Sequence, residues 1–200
     1  MEAGKWYQVG SPFVALEDGI TPMLNDIFTT GFGAGDTLSV YNPATSSYAM
    51  YYWNATRAKW TVGSRPSAAD ANVEIPSGQA VFINKATAGN VILSGKVSTN
   101  EVTEFGADVG NSWDQIVCVY PEAIKLNDLT WNGLSAGDTL SVYDPDTAIY
   151  ATYYWNTTQA KWKVGSRPSA AEADVLLPVG QAVFVNKASV GVGSCSRNAE

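Results

Sequence analysis

The chain has 200 residues, of which 46% are hydrophobic and 16% are charged, and its formal net charge is −7. This composition is typical of a packed globular protein and excludes a disordered chain. The sequence has no basic cluster, so neither nucleic acid nor an anionic membrane surface is an expected partner. It also has no apolar run near the roughly 20 residues that a membrane helix requires, so no membrane insertion is expected.

The N-terminal segment predicts a strand and then a short helix. Residues 5–13 (KWYQVGSPF) alternate weakly and carry aromatic side chains, which favours a β-strand. Residues 21–28 (TPMLNDIF) offer Thr21 as a helix N-cap and Pro22 at the first helical position. The opening residues lack the pattern of a signal peptide. We expect an extracytoplasmic protein, secreted or at the cell surface, whose signal peptide is absent from this sequence; a cytosolic protein is the alternative.

Residues 35–60 form the segment around which the first half of the chain is organised. Leu38 and Val40 alternate with polar residues, as in a strand with one buried face. A turn at residues 42–45 (NPAT) leads into an aromatic strand at residues 48–53, and a second turn leads into a third strand. The rest of this half is predicted to contain a polar loop at 63–72, a strand at 73–75, a hairpin turn closed by Gly78, and apolar strands at 79–84 and 90–97.

The central segment recurs 102 positions later, at residues 137–162. Residues 34–87 and 136–189 align without a gap, and 39 of the 54 positions are identical. The differences concentrate in turns and loops, where side chains are least constrained. Upstream of the repeat, Trp113 is the counterpart of Trp6. The sequence therefore predicts two homologous modules, with the polar stretch at residues 98–112 as their boundary.

The predicted fold is all-β, with two tandem homologous modules of about six strands each, at residues 1–103 and 104–200. Strand spacing of this kind is typical of small β-barrels and β-sandwiches. A closed barrel would let the first and last strands of each module pair, which removes two unpaired sheet edges. The sequence leaves the choice between barrel and sandwich open.

Catalytic chemistry is limited by the absence of histidine from the chain. Neither a Ser–His–Asp nor a Cys–His site can form, and no phosphate-binding loop is present. The acidic residues that occur in both copies, which a glycosidase could use as a pair, are Asp26, Asp36, Asp128 and Asp138. Asp36 and Asp138 follow glycine at strand starts, where aspartate usually organises a turn. We therefore expect no catalytic residue, no metal and no cofactor.

Aromatic side chains are the best candidates for ligand binding. Alternation along one strand places Tyr52 and Trp53 on opposite faces, so one of them faces outward unless both faces are covered. Exposed rings could stack on sugars or on a partner protein, whereas packing in the core is the alternative that small β-modules favour. The candidate residues are Tyr52, Trp53, Trp60, Tyr154, Trp155 and Trp162.

Two arginines and two cysteines complete the candidate residues. Arg65 and Arg167, each in the sequence GSRPSAA, either bind a carboxylate or tie a loop to its own sheet. Cys118 lies in the strand that opens the second module, and Cys195 lies near its end. If the first and last strands pair, as a barrel requires, the two sulfurs come within bonding reach. We therefore predict a Cys118–Cys195 disulfide, which would also indicate an oxidising compartment.

The order of these motifs resembles poorly characterised β-rich modules of large secreted or surface-exposed bacterial proteins. The shared features are a Trp-led strand, a Gly-Asp strand ending in Tyr, a Tyr-rich hairpin ending in Trp, and a Pro-x-Gly-Gln-Ala segment. The matching residues are Gly137, Asp138, Tyr143, Trp162, Pro178, Gly180, Gln181 and Phe184, with equivalents 102 positions earlier.

This resemblance implies a secreted bacterial setting and a supporting or binding role, and it brings no catalytic residues. We therefore expect a non-enzymatic structural or adhesive unit. The sequence does not identify its partner, for which polysaccharide and another surface protein are the candidates. A glycan-binding module that uses exposed Trp and Tyr is the alternative. A glycosidase that uses paired carboxylates is the third hypothesis.

Overall fold

The computed structural model describes residues 1–11, 13–14, 20–42, 45, 47–76, 78–97, 102–107, 110–117 and 122–197. The fold is all-β, as the sequence predicts, and its strands form several antiparallel sheets. The chain divides into two compact units, Met1–Ser98 with Pro145–Ala148 (unit 1) and Thr99–Asp144 with Ile149–Glu200 (unit 2). No helix among the described residues has the length and apolar character to cross a membrane.

The elements of unit 1 in chain order are β1 (Trp6–Gly10), β2 (Phe13–Val14), α1 (Leu24–Ile27), β3 (Thr37–Asn42), β4 (Ser47–Asn54), β5 (Lys59–Thr61), β6 (Ala80–Asn84) and β7 (Lys96–Val97). Five of the strands form an antiparallel sheet with the order β1-β6-β3-β4-β5, and β2 and β7 form a two-stranded sheet.

The strands of unit 2 are β8 (Val102–Ala107), β9 (Ser112–Val117), β10 (Ile124–Lys125), β11 (Leu129–Asn132), β12 (Thr139–Asp144), β13 (Ile149–Asn156), β14 (Lys161–Lys163), β15 (Leu176–Leu177), β16 (Ala182–Lys187) and β17 (Gly191–Arg197). A 3₁₀ helix spans Leu126–Asp128. The strands form a five-stranded sheet with the order β14-β13-β12-β16-β9, a three-stranded sheet with the order β11-β17-β8, and a two-stranded sheet of β10 and β15. Strand β8 runs across the module boundary predicted at 103/104.

The two five-stranded sheets share their strand pairing at the 102-residue offset. Trp53 lies opposite Trp60 in unit 1, and Trp155 lies opposite Trp162 in unit 2. The opening strands pair with corresponding residues although their own offset is 107 rather than 102 positions: Trp6 faces Asn84 across β1 and β6, and Trp113 faces Asn186 across β9 and β16. Because register decides which side chains face the core, corresponding residues of the two sheets point to the same side.

Of the two architectures that the sequence leaves open, the closed barrel is not found, because the sheets of the described residues are open. In unit 2 the strand that opens the sheet, β9, pairs with β16, whereas the last strand, β17, pairs with β11 and β8. The first and last strands therefore do not pair in the way that a barrel requires.

The predicted disulfide is not found. Cys195 lies on β17 opposite Trp131 of β11, and it is a free, fully buried cysteine. Cys118, the other cysteine, lies outside the described residues, as do Pro43 and Ala44 of the predicted NPAT turn. Since β17 is not a neighbour of β9, the strand pairing that motivated the disulfide is missing.

The N-terminal helix begins later than predicted. Its N-cap is Met23 rather than Thr21, and the Met23 amide donates to the Asp26 carboxylate over 3.0 Å. The carbonyl of Pro22 accepts a hydrogen bond from Ile75 N at 2.8 Å, which holds the preceding residues against another part of the chain. The proline that the sequence places inside the helix therefore lies before it.

The core of unit 1 centres on three aromatic rings. Trp53 and Trp60 meet edge to face with centroids 5.3 Å apart, and Phe32 lies 4.9 Å from Trp60. The indole N–H of Trp60 donates to the carbonyl of Phe28 at 2.8 Å, which satisfies a buried polar group.

The core of unit 2 uses the same tryptophan pair and a different third ring. Trp155 and Trp162 lie 5.1 Å apart, and Trp131 of β11 lies 5.4 Å from Trp162. The position equivalent to Trp131 in unit 1 is Thr29, and the position equivalent to Phe32 in unit 2 is Leu134. The two units therefore place their third large ring at different positions.

Beyond β5, residues 62–71 fold back along the same strand. Val62 N donates to Ala69 O at 3.0 Å, and Ala71 N donates to Trp60 O at 2.8 Å. The side chain of Asn25 joins this arrangement, because its amide donates to Trp60 O and Ala71 O and its oxygen accepts from Trp60 N.

Unit 2 repeats this arrangement. Ala173 N donates to Trp162 O at 2.9 Å, and the side chain of Asn127 makes the same three bonds to Trp162 and Ala173. Two kinds of hydrogen bond therefore hold the segment that follows β14: the backbone bond between Ala173 and Trp162, and the side-chain bonds of Asn127 to the same two residues.

Candidate functional site

Half of the predicted aromatic ligand-binding residues lie in the core. Trp60 and Trp162 are 0% exposed, and Trp53 is 8% exposed. Trp53 and Trp60 pack against each other in unit 1, and Trp162 packs against Trp155 and Trp131 in unit 2, so these three rings are not available to stack on a ligand. For these residues the structure shows core packing, the alternative that the sequence favours for small β-modules.

The other three candidates, Tyr52, Tyr154 and Trp155, are half-buried and border two cavities. Tyr52 borders a cavity of about 340 Å³ in unit 1. Tyr154 and Trp155 border a cavity of about 210 Å³ in unit 2. Tyr52 and Tyr154 are equivalent residues, so each unit carries a cavity at the same place on its sheet.

The two cavities, here called the loop pockets, share four lining positions. These are Tyr52, Gly63, Ser64 and Arg65 in unit 1, and Tyr154, Gly165, Ser166 and Arg167 in unit 2. The loop that supplies them, VGSRPSAA, is identical at residues 62–69 and 164–171. By contrast, the segments at 42–47 (NPATSS) and 144–149 (DPDTAI) differ at four of their six positions. The loop-pocket sequence is therefore retained where other loops have diverged.

Arg65 and Arg167 are exposed at the rims of the loop pockets. Within the described residues, neither guanidinium makes a hydrogen bond or an ion pair. The loop is held by backbone bonds and not by the guanidinium groups, since Ala68 N donates to the backbone carbonyl of Arg65 and Ala170 N donates to that of Arg167. Of the two roles that the sequence suggests, tying the loop to its sheet is therefore not performed by these side chains.

One charged residue distinguishes the two loop pockets. Lys163 of β14 borders the unit 2 pocket, is 5% exposed, and lies 3.8 Å from the exposed Glu172, its one ion-pair partner in the described part of the chain. The equivalent residue in unit 1 is Thr61, whose hydroxyl donates to Tyr52 O and Gly63 O. Sequence analysis did not single out Lys163, although the Thr61/Lys163 difference is visible in the repeat.

Unit 1 has a positively charged residue at another position, where unit 2 has a neutral one. Arg57, in the turn between β4 and β5, pairs with Asp70 and donates to Ala68 O at 2.7 Å. Unit 2 has Gln159 at the position of Arg57. Unit 1 therefore has a positive charge in the exposed turn, at Arg57, where unit 2 has none, and unit 2 has one in the wall of its pocket, at Lys163.

Asp36, considered above for catalysis, is a buried structural residue. Its carboxylate accepts hydrogen bonds from Gly33 N at 2.8 Å and from Ala86 N at 2.7 Å, and it pairs with Lys85. The Lys85 ammonium also donates to Gly31 O at 2.5 Å. This arrangement links the start of β3 to the end of β6 and to the glycine-rich loop before β3.

Asp138 repeats the arrangement in unit 2. It accepts from Ser135 N and Ala188 N, both at 2.8 Å, and Lys187 lies 3.6 Å from its carboxylate and donates to Gly133 O. Both carboxylates are shielded from solvent and engaged with backbone amides, which is a turn-organising role. Lys85 and Lys187, which sequence analysis missed, could have been found as identical lysines in both copies.

Burial also affects the tyrosines. It raises the pKa of Tyr51 and the pKa of the equivalent Tyr153, because the phenolate would lose its hydration. The pKa of Tyr143 is raised by burial first and by the charge of Asp144 second. Each of these groups is therefore held in its neutral form.

Comparisons of the chain with protein-family models, curated proteins and solved structures found no match. Among the described residues, no group of three or more acidic or cysteine side chains is arranged to hold a metal ion. The loop pockets, with their repeated arginines, are therefore the features of the fold that best fit a binding role.

Proposed function

We propose that this chain is a non-enzymatic structural or adhesive unit of a secreted or cell-surface bacterial protein, composed of two duplicated β-modules. The observation that supports this most directly is the bonding of Asp36 and Asp138. Each carboxylate is at most 2% exposed and accepts two backbone hydrogen bonds beside a lysine. Such groups stabilise a fold rather than exchange protons with a substrate.

The enzymatic alternative is tested with Asp138→Asn and with wild-type protein on chromogenic glycosides. We expect no release by the wild type above that of heat-denatured protein, and a lower thermal midpoint for the variant. Hydrolysis that the wild type performs and a folded Asp138→Asn variant does not would contradict the proposal. Circular dichroism of both proteins provides the folding control.

The surface location is tested separately, by antibody labelling of intact and permeabilised cells of the source organism. We expect intact cells to be labelled as strongly as permeabilised cells. Labelling that requires permeabilisation would contradict an extracytoplasmic role.

A second candidate function is glycan binding at the loop pockets. It is favoured by the repeated arginines, whose guanidinium groups have no partner within the described part of the chain, and by the tyrosine beside each of them. Tyrosine provides a flat ring that packs on a sugar face, and Ser64 and Ser166 add hydroxyls. Tyr52→Ala and Tyr154→Ala together should abolish binding to immobilised polysaccharide. The matched control is Tyr150→Ala, which removes an exposed tyrosine that borders neither loop pocket.

A further inference from the structure

We propose that the loop pocket of unit 2 binds the carboxylate of an acidic saccharide between Arg167 and Lys163, and that the unit 1 pocket binds it more weakly. This deepens, and rests on, the glycan-binding candidate above. It adds the charge of the ligand, the residues that recognise that charge, and a ranking of the two pockets.

The first support is the local charge of the pocket. The chain carries a net charge of −7, yet this pocket brings together the Arg167 guanidinium, which has no partner among the described residues, and Lys163, a residue that is 5% exposed. A buried ammonium is costly unless an anion compensates it. Glu172, at 3.8 Å and itself exposed, compensates it only in part. A ligand carboxylate would complete the pairing.

The second support is the character of the other lining groups. Tyr154 and Trp155 supply ring surface, while Asn156, Thr157 and Ser166 supply an amide and hydroxyls. The rings suit the apolar face of a sugar, and the polar groups suit its hydroxyls. A cavity of about 210 Å³ is smaller than the ~300–1,000 Å³ of pockets that enclose drug-sized ligands, so it suits a single sugar ring.

The third support comes from the unit 1 pocket, which serves as an internal control. It keeps the arginine, the tyrosine and the loop. The residue equivalent to Lys163 is Thr61, which is not among the residues that line the unit 1 pocket and whose hydroxyl is already bonded to the backbone. One cation remains there instead of two. Charge-assisted hydrogen bonds are about twice as strong as neutral ones, so the unit 1 pocket should bind the same anion less tightly.

The experiment is isothermal titration calorimetry of the full chain at low ionic strength, with a trimer of galacturonic acid as the probe. The neutral comparison is a trimer of galactose, and the non-sugar comparison is citrate. The variants are Arg167→Gln, Lys163→Thr, Arg65→Gln and Thr61→Lys. Two of them exchange the residues that the two units have at one position, so each new side chain is one that the equivalent strand already contains.

We expect the acidic trimer to bind and the neutral trimer to bind at least about tenfold more weakly. Arg167→Gln should weaken the tighter site at least about tenfold. Lys163→Thr should lower that site to the affinity of the unit 1 pocket, and Thr61→Lys should raise the unit 1 pocket towards that of unit 2. Arg65→Gln should affect the weaker site alone, and added salt should weaken both.

Three results would overturn the proposal, and they are distinguishable from one another. Equal binding of the acidic and neutral trimers would remove the anion preference but leave glycan binding intact. Equal binding of citrate and the acidic trimer would identify a general carboxylate site rather than a sugar site. No binding of either trimer, with wild-type thermal midpoints for all variants, would contradict the glycan-binding candidate itself. Arg167→Gln keeps the test valid if Lys163→Thr fails to fold.

Discussion

The two units contain the same tryptophan pair but complete it in different ways. Unit 1 adds Phe32 from the loop after α1, and unit 2 adds Trp131 from β11. At each of the two positions, the unit that lacks the ring has a smaller residue, Thr29 or Leu134. The two units therefore fill this part of the core with rings from different positions, and Thr29 itself is exposed.

This exchange changes the hydrogen bonding of the central indole. In unit 1 the Trp60 N–H donates to Phe28 O, whereas the Trp162 N–H in unit 2 is buried without a partner in the described residues. Thr130, at the position of Phe28, lies in β11 and pairs with Ser196 of β17. Unit 2 therefore has a longer strand ladder, and one indole N–H remains unsatisfied.

The largest expected effect comes from removing the central indole of either unit. Trp60→Ala and Trp162→Ala should each lower the apparent free energy of unfolding by about 4 kcal/mol, because both rings are 0% exposed. Trp60→Ala should cost about 1 kcal/mol more, because it also removes the donor to Phe28 O. Urea unfolding followed by circular dichroism measures both. A larger loss for Trp162→Ala would contradict the comparison, and Val62→Ala is the exposed-residue control.

An effect of similar size is expected from removing the lysine of a buried ion pair. Lys85→Met should cost about 3–5 kcal/mol, because it leaves the Asp36 carboxylate buried without its counter-charge. Lys187→Met should cost less, because Lys187 lies 3.6 Å from Asp138 and pairs with it less directly. The same urea titrations measure the difference. Equal losses would show that the two ion pairs are energetically equivalent despite their geometry.

The exchange of the third ring can be tested by transferring it. Phe32→Leu should destabilise the protein by about 1–2 kcal/mol, because it removes the ring that contacts Trp60. Adding Thr29→Trp should recover none of that loss, because Thr29 is exposed in unit 1 and its position does not face the core as that of Trp131 does. Thr29→Trp alone is the control and should leave the stability unchanged. A double variant more stable than Phe32→Leu would show that a tryptophan at position 29 can enter the core of unit 1.

The smallest expected effect is alkaline destabilisation through the equivalent buried tyrosines. Burial raises the pKa of Tyr51 and of Tyr153 in the folded protein, so folding favours the protonated form. This contribution is complete below the tyrosine pKa of about 10 in the unfolded chain, and it is lost as the pH rises through the folded pKa. Thermal midpoints measured from pH 8 upward should fall less steeply for Tyr51→Phe and Tyr153→Phe. Unchanged steepness would contradict the shift.

Much of the sheet could be predicted from the sequence, because alternation and the repeat fix which strands correspond. Strand β3 itself follows from the alternation around Leu38. Trp113 is identified as the counterpart of Trp6 by the motif around it, because both lie outside the aligned span of residues 34–87 and 136–189. The barrel and the disulfide were wrong because both depended on pairing between the first and last strands. Such pairing is a long-range choice that local periodicity does not encode.

The candidate site was predictable in part. Arg65 and Arg167 were identified from their repeated loop, whereas the core position of Trp60 required knowledge of which rings meet it. Lys163 was missed because a lysine in a short strand normally faces solvent, and only the fold shows that it is buried beside a pocket. Lys85 and Lys187 were missed for the same reason.

The fold-back of residues 62–71 along β5 has a consequence for a chain with two nearly identical halves. With 39 of 54 aligned positions identical, a strand of one half is a suitable partner for the sheet of the other, and such exchange is a known route to misassembly in repeat proteins. An outer strand with free amides and carbonyls would invite it. Here the carbonyl of Trp60 accepts from Ala71 N, and the carbonyl of Trp162 accepts from Ala173 N, so one backbone group of the outer strand is occupied in each copy. The loop that shapes each pocket thereby covers part of that strand's edge with its own half of the chain.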